Sequence, residues 1–488
     1  MAFVPSDRQQ AIAAALREPR NLLIQACAGS GKTTTMVWLA GLLPPHMRVL
    51  ALSFNRSIAE ELGRRMPSYV RSATMHSIGY GMIRKSQGRV RLEDKKLVWL
   101  VDTHPGVIAQ SPSVRHAVVS DLLAIVPLVQ DTMIDPDNLS MLSAIADMVG
   151  RELEAASISL PLVASISAAC DQMRGCITYG EMIRHPIIHN DPPDYFDVVF
   201  VDEAQDLNSA QHALLKRLVR PIQGKLVAVG DAFQSVYNFR GADPRSMDRL
   251  ASDWDMTKLP LDVSYRCAAA IVKEAQSIVG PDAIKARPDA PAGEVQTGRY
   301  DDLGDLMNEG DMGICRCNAP LIGAALRCIK AGKRVQIRGR DVGSQLAALV
   351  RRARATTVAE LLGYIVRWRA SRVQAGIASK KSLQALQAID DQADTLTAIA
   401  EECSDVQGVI EALDDLFSDL DRPCIVFSTV HRAKGLEAAT VVILGPELLP
   451  APWAESAAEK EQERNLHYVA VTRALTRLVY VKLPDKRK

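Results

Sequence analysis

The sequence predicts an α/β fold: two parallel-sheet blocks, each interrupted by a mainly helical insertion. Three observations predict it. Short apolar runs bounded by turns alternate with helix-length stretches, the pattern of buried parallel strands joined by crossover helices. Two long stretches, residues 86–180 and 345–420, read as helical. The 488 residues also exceed the length that one hydrophobic core usually serves.

In chain order, residues 7–18 read as a helix. Leu22-Leu23-Ile24 reads as a buried strand that enters a glycine-rich turn at 29–31 and a helix over 32–43. Val49-Leu50-Ala51-Leu52 is a second strand, followed by a helix over 56–66. Residues 86–180 show no strand-like run bounded by turns. Strands return at Val198-Val199-Phe200-Val201 and Leu226-Val227-Ala228-Val229. A second block begins near Leu259, with short strands at Gly313-Ile314-Cys315 and Arg334-Val335-Gln336-Ile337. The stretch 345–420 starts basic (Arg351, Arg352, Arg354, Arg367, Arg369, Arg372) and ends acidic (Glu401, Glu402, Asp414, Asp415, Asp419, Asp421). Strands resume at 425–427, 440–444 and 478–481. The predicted boundaries place the first block at 1–85 and 181–255 and the second at 256–344 and 421–488.

Lys+Arg total 58 and Asp+Glu 57, a net charge of +1. That balance neither announces nor excludes a nucleic-acid partner, because a groove needs only local positive charge. Nine scattered cysteines form no CxxC pair, so reduced thiols are expected rather than a zinc or iron–sulfur site. The start lacks a basic region followed by an apolar core, and no uninterrupted apolar stretch reaches membrane-spanning length. A cytoplasmic protein without a membrane partner is the expectation.

The strongest local signal is Ala26-Cys27-Ala28-Gly29-Ser30-Gly31-Lys32-Thr33, which fits a phosphate-binding loop with Ala26 where the first glycine is usual. Backbone N–H groups over Ala28, Gly29, Ser30 and Gly31 would face phosphates, and the helix N-terminus adds its dipole. Lys32 would reach the β- and γ-phosphates of ATP, and the Thr33 hydroxyl would ligate Mg²⁺. Asp202-Glu203 follows an apolar strand, where ligands of parallel sheets sit. Asp202 would hold the Mg²⁺, directly or through water, and Glu203 would orient and deprotonate the attacking water. Alone, the same pair reads equally well as an acidic helix cap. Gln234, in Gly230-Asp231-Ala232-Phe233-Gln234-Ser235, suits a γ-phosphate sensor or an ordinary turn residue.

Together these motifs resemble superfamily 1A helicases of the UvrD/Rep/PcrA type. Further pieces occur in that family's order: Asp7-Arg8-Gln9-Gln10, Ser53-Phe54-Asn55-Arg56, Thr74-Met75-His76-Ser77, Gln234-Ser235-Val236-Tyr237-Asn238-Phe239-Arg240-Gly241-Ala242, Ser264-Tyr265-Arg266, Thr429-Val430-His431-Arg432-Ala433-Lys434-Gly435-Leu436-Glu437, and Glu463-Arg464 through Arg473-Ala474. The wording at Phe54-Asn55 and the compact length look closest to the F-box helicase branch and related phage or bacterial forms. The resemblance implies two RecA-like motor domains that use ATP and Mg²⁺. It implies that Gln9 (or Gln10) reads adenine, Tyr265 stacks on it, Glu437 touches the ribose, and Arg266 and Arg473 reach the γ-phosphate. It places Phe54, Asn55, His76, Tyr237, Phe239, Arg240 and His431 on a DNA track. Without it, the arginines read as surface residues and the aromatics as core.

Three departures from the family pattern stand out. Phe239 replaces the usual Trp, and Thr34 stands where an arginine is common, so the resemblance implies one nucleotide contact fewer. The second insertion, residues 345–420, is much smaller than in large members of the family, which leaves strand separation the least supported of the implied properties. After Arg473 only 15 residues remain (488 − 473), so a fused nuclease is not expected. The resemblance implies 3′→5′ movement on single-stranded DNA, unwinding at junctions with duplex, and accessory repair, replication or defence proteins as partners. Two competing readings remain: a nucleotide-gated DNA-binding ATPase subunit of a repair, recombination or anti-phage complex, and an RNA motor.

Overall fold

The computed structural model describes residues 3–148, 153–236, 245–378, 383–418 and 422–484. It divides into two compact units, Met1–Asp262 and Val263–Lys488.

The strands of the first unit are β1 (Leu22–Ala26), β2 (Val49–Ser53), β3 (Val70–Thr74), β4 (Arg91–Leu92), β5 (Cys176–Ile177), β6 (Val198–Val201), β7 (Lys225–Gly230) and β8 (Thr257–Leu261). Six form one parallel sheet in the order β3-β2-β6-β7-β1-β8. The central strands β2, β6 and β7 are buried at every residue, so they read as unbroken apolar runs. Side chains from alternate positions feed two cores. Leu23, Leu50 and Val199 pack on one face, and Leu22, Val49 and Phe200 on the other.

β8 corrects the expected boundary. It pairs with β1, Leu22 opposite Thr257 through Ala26 opposite Leu261, so residues 257–261 belong to the first sheet and the units part after Asp262, not after 255. β8 is an edge strand with Lys258 and Pro260 exposed, and an edge is where a sheet tolerates proline.

The first insertion has a hydrophobic cluster of its own, built on the helix Pro112–Thr132 with Val118, Leu122, Ile125, Val126 and Val129 buried. By length and composition that helix could cross a membrane; here it is the core helix of the insertion. Its buried Asp121 accepts bonds from Glu154 N–H (2.9 Å), Ala155 N–H (2.8 Å) and the Ser159 hydroxyl (2.9 Å). The sequence showed no strand here, but β4 and β5 pair in parallel at the ends of the insertion. Two residues are too few to carry a readable period.

A fully buried ion pair locks the insertion to the helix Glu181–Ile188. Lys96 Nζ lies 2.6 Å from Glu181 Oε1 and also donates to the Cys170 and Cys176 carbonyls at 2.7 and 3.1 Å. Glu181 Oε2 accepts the Thr178 N–H at 2.7 Å. Lys96→Met strands a buried carboxylate and is expected to cost about 3–5 kcal/mol. A denaturant titration checks this. Adding Glu181→Leu should recover most of the loss, because an apolar pair needs no charge partner.

In the second unit, β9 (Val263–Ser264) pairs with β10 (Lys285–Ala286). β11 (Glu294–Gly298), β12 (Met312–Cys315), β13 (Val335–Ile337), β14 (Ile425–Thr429), β15 (Ala438–Leu444) and β16 (Ala474–Val481) form a parallel sheet in the order β11-β16-β15-β12-β14-β13. Four helices between β13 and β14 (Arg340–Ala353, Val358–Ala378, Leu383–Ala400, Val406–Phe417) make the second insertion. Its described residues share a core with the sheet: Leu346, Leu361, Leu396 and Leu413 cluster with Ile337, Phe427 and Val442.

Candidate functional site

In the first sheet β6, β7 and β1 are neighbours and run parallel, so their C-terminal ends lie side by side. The loop 27–31 leaves β1, Asp202-Glu203 leaves β6, and Asp231 leaves β7. Topology alone therefore gathers three motifs that are far apart in sequence.

The loop turns through Gly29 (φ 71) and Gly31 (φ 80), both left-handed, where glycine carries no side-chain penalty. Gly31 N-caps the helix Lys32–Gly41, and no side chain caps its first turn. A glycine cap brings no side-chain acceptor of its own to that turn, which suits an anion site. The buried Ser30 hydroxyl in the same loop has no hydrogen-bond partner among the described residues.

Lys32 Nζ sits 3.0 Å from Glu203 Oε1 and 3.1 Å from Oε2. Burial opposes its charge, but Glu203, Asp202 and Asp231 together outweigh that and hold its pKa above the ordinary lysine value. Glu203 adopts φ 51, ψ 44, a left-handed conformation that costs a non-glycine residue about 1–2 kcal/mol. Its N–H bonds the Asp202 carboxylate at 2.9 Å.

A polar chain continues from there. Gln205 donates to Glu203 Oε2 (2.5 Å) and accepts the Asp231 N–H (3.0 Å). Asp231 Oδ2 accepts from Gln234 Nε2 (2.8 Å), and Oδ1 accepts the Phe233 N–H (3.1 Å). Gly230 leaves room for this link, since a Cβ there would stand 2.6 Å from Gln205 Oε1. The sensor candidate Gln234 is thus joined to the base candidate Glu203 through Asp231 and Gln205. Sequence reasoning gave Gln205 no role, although it lies two residues from Glu203.

Asp231 is 0% exposed. Burial pushes its pKa up to about 6, against the opposing pull of Lys32 and Gln234. The folded state therefore holds this proton at a pH where the unfolded chain has lost it. Between about pH 4 and 6 its contribution to stability falls as pH rises, by about 2 kcal/mol in total. Asp231→Asn is expected to remove that slope. Denaturant midpoints at pH 4, 5, 6 and 7, taken as wild type minus variant, read it directly.

Gln9 lies buried against the loop helix, donating to Thr35 Oγ1 at 2.8 Å and accepting the Ser6 N–H at 2.9 Å. Gln10 is exposed and bonds the Pro5 carbonyl, so of the two it is Gln9 that packs on the loop helix. Thr33 follows Lys32 in the helix, and Thr34 accepts a bond from Arg65 Nη2 at 3.1 Å.

The stacking candidates leave the other half of the sheet, after β2 and β3. Phe54 is 41% exposed. Asn55 N-caps the helix Arg56–Arg65, its side chain accepting from Ile58 N–H and the Ser57 hydroxyl at 2.9 Å each. His76 stacks on Tyr179 with ring centroids 4.0 Å apart and planes 25° from parallel. Burial lowers the His76 pKa to about 4, so the ring is neutral at physiological pH. Tyr179, 56% exposed, carries no motif signal and is brought in by the insertion. Phe54, Asn55, His76, Tyr179, Gln130 and Asn208 line a groove of about 590 Å³. Phe54, His76, Asp202 and Glu203 also line one small cavity, so the two sites share a wall. Tyr237, Phe239 and Arg240 lie outside the described residues.

In the second unit, Tyr265 is exposed, and Arg266 Nε pairs with Glu437 Oε2 at 2.8 Å. Arg473 overturns the surface reading. It is 1% exposed and donates to the carbonyls of Val469 (3.0 Å) and Leu436 (3.2 Å) and to Thr472 Oγ1 (3.2 Å). His431, in the short helix Val430–Ala433, is half-buried.

A parallel sheet, a left-handed glycine turn and a lysine clasped by a strand-end carboxylate define a P-loop phosphate-binding domain. The comparisons narrow that class. The profile of the UvrD/REP helicase N-terminal domain matches residues 6–255, and that of the UvrD-like helicase C-terminal domain matches residues 368–483. The chain belongs to the UvrD/Rep helicase family. It is 27% identical over 333 residues to the ATP-dependent DNA helicase UvrD1 of Mycobacterium tuberculosis, covering 60% of this chain and 42% of that protein. It is 25% identical over 292 residues to the ATP-dependent DNA helicase PcrA of Staphylococcus aureus, covering 53% of this chain and 38% of PcrA. The chain thus matches less than half the length of these relatives.

Proposed function

We propose that the protein is an ATP-hydrolysing motor that travels 3′→5′ on single-stranded DNA and separates duplex at a junction. The observation that carries this is the polar chain Lys32–Glu203–Gln205–Asp231–Gln234 beside an open glycine-rich loop. The names of the relatives, ATP-dependent DNA helicases, support it.

The residues present fit a magnesium-bound triphosphate. The unbonded Ser30 hydroxyl, the uncapped helix start and the charged Lys32 suit phosphate oxygens. Among the described residues, no three His, Cys, Asp or Glu side chains cluster at metal distance. That fits Mg²⁺, which takes one or two protein ligands and completes its shell with phosphate and water. Thr33 and Asp202 are the proposed ligands, and the ion would neutralise charge on the transferring phosphate. Lys32 binds phosphate, Glu203 takes the proton of the attacking water, and Gln234 orients that water. Arg266 and Arg473 stabilise the developing charge. Gln9, Tyr265 and Glu437 hold the nucleoside. Phe54, His76, Tyr179, Tyr237 and Phe239 are the proposed stacking faces, and Asn55, Arg240 and His431 the proposed polar contacts to the strand; stacking tolerates any sequence, as a motor requires. The wall shared by Glu203, Phe54 and His76 offers a direct route from strand binding to hydrolysis.

A second reading is a DNA-gated ATPase with little unwinding of its own. The second insertion favours it, because it shares its core with the sheet. Hydrolysis of ATP by the purified protein, with and without single-stranded DNA or RNA, tests the motor claim. Stimulation by DNA above RNA is expected; turnover indifferent to any polynucleotide contradicts it.

A further inference from the structure

We propose that the open edge of the first sheet, at β3, takes an extended segment of a partner protein as an added strand. This goes beyond the motor reading and does not rest on it. β3 ends the sheet, with β2 on one side and no strand on the other among the described residues. A groove of about 590 Å³ follows that edge, lined by three successive residues, Ser72, Ala73 and Thr74. Side chains of a strand alternate between its faces, so a groove on one face would meet alternate residues only. This one meets the edge itself, where the main chain is within reach.

The main chain has groups to offer there. The Val70 N–H is taken by the Pro67 carbonyl at 2.9 Å and the Thr74 N–H by the Ser77 hydroxyl at 3.2 Å, so both turn away from β2. Main-chain groups alternate in direction along a strand, so Ser72, midway between them, turns its N–H and C=O to the same outer side. Its hydroxyl has no hydrogen-bond partner among the described residues. One wall of the groove is the helix Arg56–Arg65, whose small Ala59 and Gly63 leave room for the side chains of an added strand. Tyr80 and Met182 supply apolar surface opposite. The occupant that fits is an extended, proline-poor segment with apolar side chains at alternate positions. Arg56, His76 and Tyr179 also line the proposed DNA groove, so the two grooves adjoin. Arg56 is the only Lys or Arg along the β3 groove, and Glu60 already pairs with it at 2.8 Å. A neutral main chain therefore suits this edge better than a run of phosphates.

The test selects random dodecapeptides displayed on phage against the full chain, then titrates the enriched synthetic peptide by fluorescence anisotropy. Gly63→Leu fills the groove from the helix wall. It should fold, because leucine suits a helix interior and a Cβ at that position meets Ser72 Cβ at 3.4 Å, an ordinary contact. It is expected to abolish peptide binding, while oligo(dT) affinity and basal ATP turnover stay within about twofold of wild type. Ser72→Pro removes the outward N–H and the hydroxyl together, at a place where an edge strand tolerates proline, and should weaken the peptide about tenfold. Bound peptide should slow hydrogen exchange at the Ser72 amide by at least about tenfold. No enrichment, or a peptide that binds both variants as tightly as wild type, overturns the inference. So does a Ser72 amide already protected in the free protein. Oligo(dT) affinity lost in Gly63→Leu with peptide binding intact also overturns it, and assigns the groove to nucleic acid. Peptide binding that persists in a protein whose ATP turnover ignores DNA leaves the inference standing and overturns the motor reading alone.

Discussion

Lys32→Ala is expected to abolish ATP turnover, by about three orders of magnitude. Lys32 is the cation around which Glu203, Asp202 and Asp231 are arranged, and its charge is reinforced by all three. Removing it leaves those carboxylates facing incoming phosphates with no opposing charge in the loop. Repulsion then acts on ground-state binding and on hydrolysis together, so kcat and nucleotide affinity should both fall. Folding should survive, because Glu203 keeps Gln205 as a donor and is partly exposed. A thermal midpoint within a few degrees of wild type, alongside lost turnover, is the expected pair of results. Retained turnover would refute the site.

Glu203→Gln separates chemistry from binding. The amide keeps the shape of the side chain and can still accept from Gln205, but it does not take a proton. Turnover is expected to fall about 10²- to 10³-fold, with ATP affinity within about threefold of wild type. A variant that hydrolyses ATP normally would return Glu203 to the role of an acidic turn residue. A variant that loses affinity instead would make it a positioning residue for Lys32.

Which parts could be read from the sequence follows from burial. Strands buried on both faces, such as β2, β6, β7 and β12, show as apolar runs. Within the two six-stranded sheets, the strands not legible in the sequence, β3, β8 and β11, are all at edges, where exposed residues interrupt the pattern. Lys258 and Pro260 thus hid β8 and moved the domain boundary. The phosphate loop and the Asp202-Glu203 pair stood out as candidates because each directly follows an apolar strand. Gln205 did not, since what marks it is a pair of bonds, one reaching Asp231 at the end of the neighbouring strand. Tyr179 was invisible for the same reason: its stacking partner, His76, is one that only the fold brings near. Arg473 misled in the opposite direction, because its burial depends on main-chain acceptors that composition does not reveal.

The most direct test is unwinding of duplexes that carry a single-stranded tail at either the 3′ or the 5′ end, with Lys32→Ala as control. ATP-dependent separation of the 3′-tailed duplex alone, lost in the variant, is the predicted result. Strand separation that proceeds without ATP, persists in Lys32→Ala, or runs only from the 5′ tail would contradict the account.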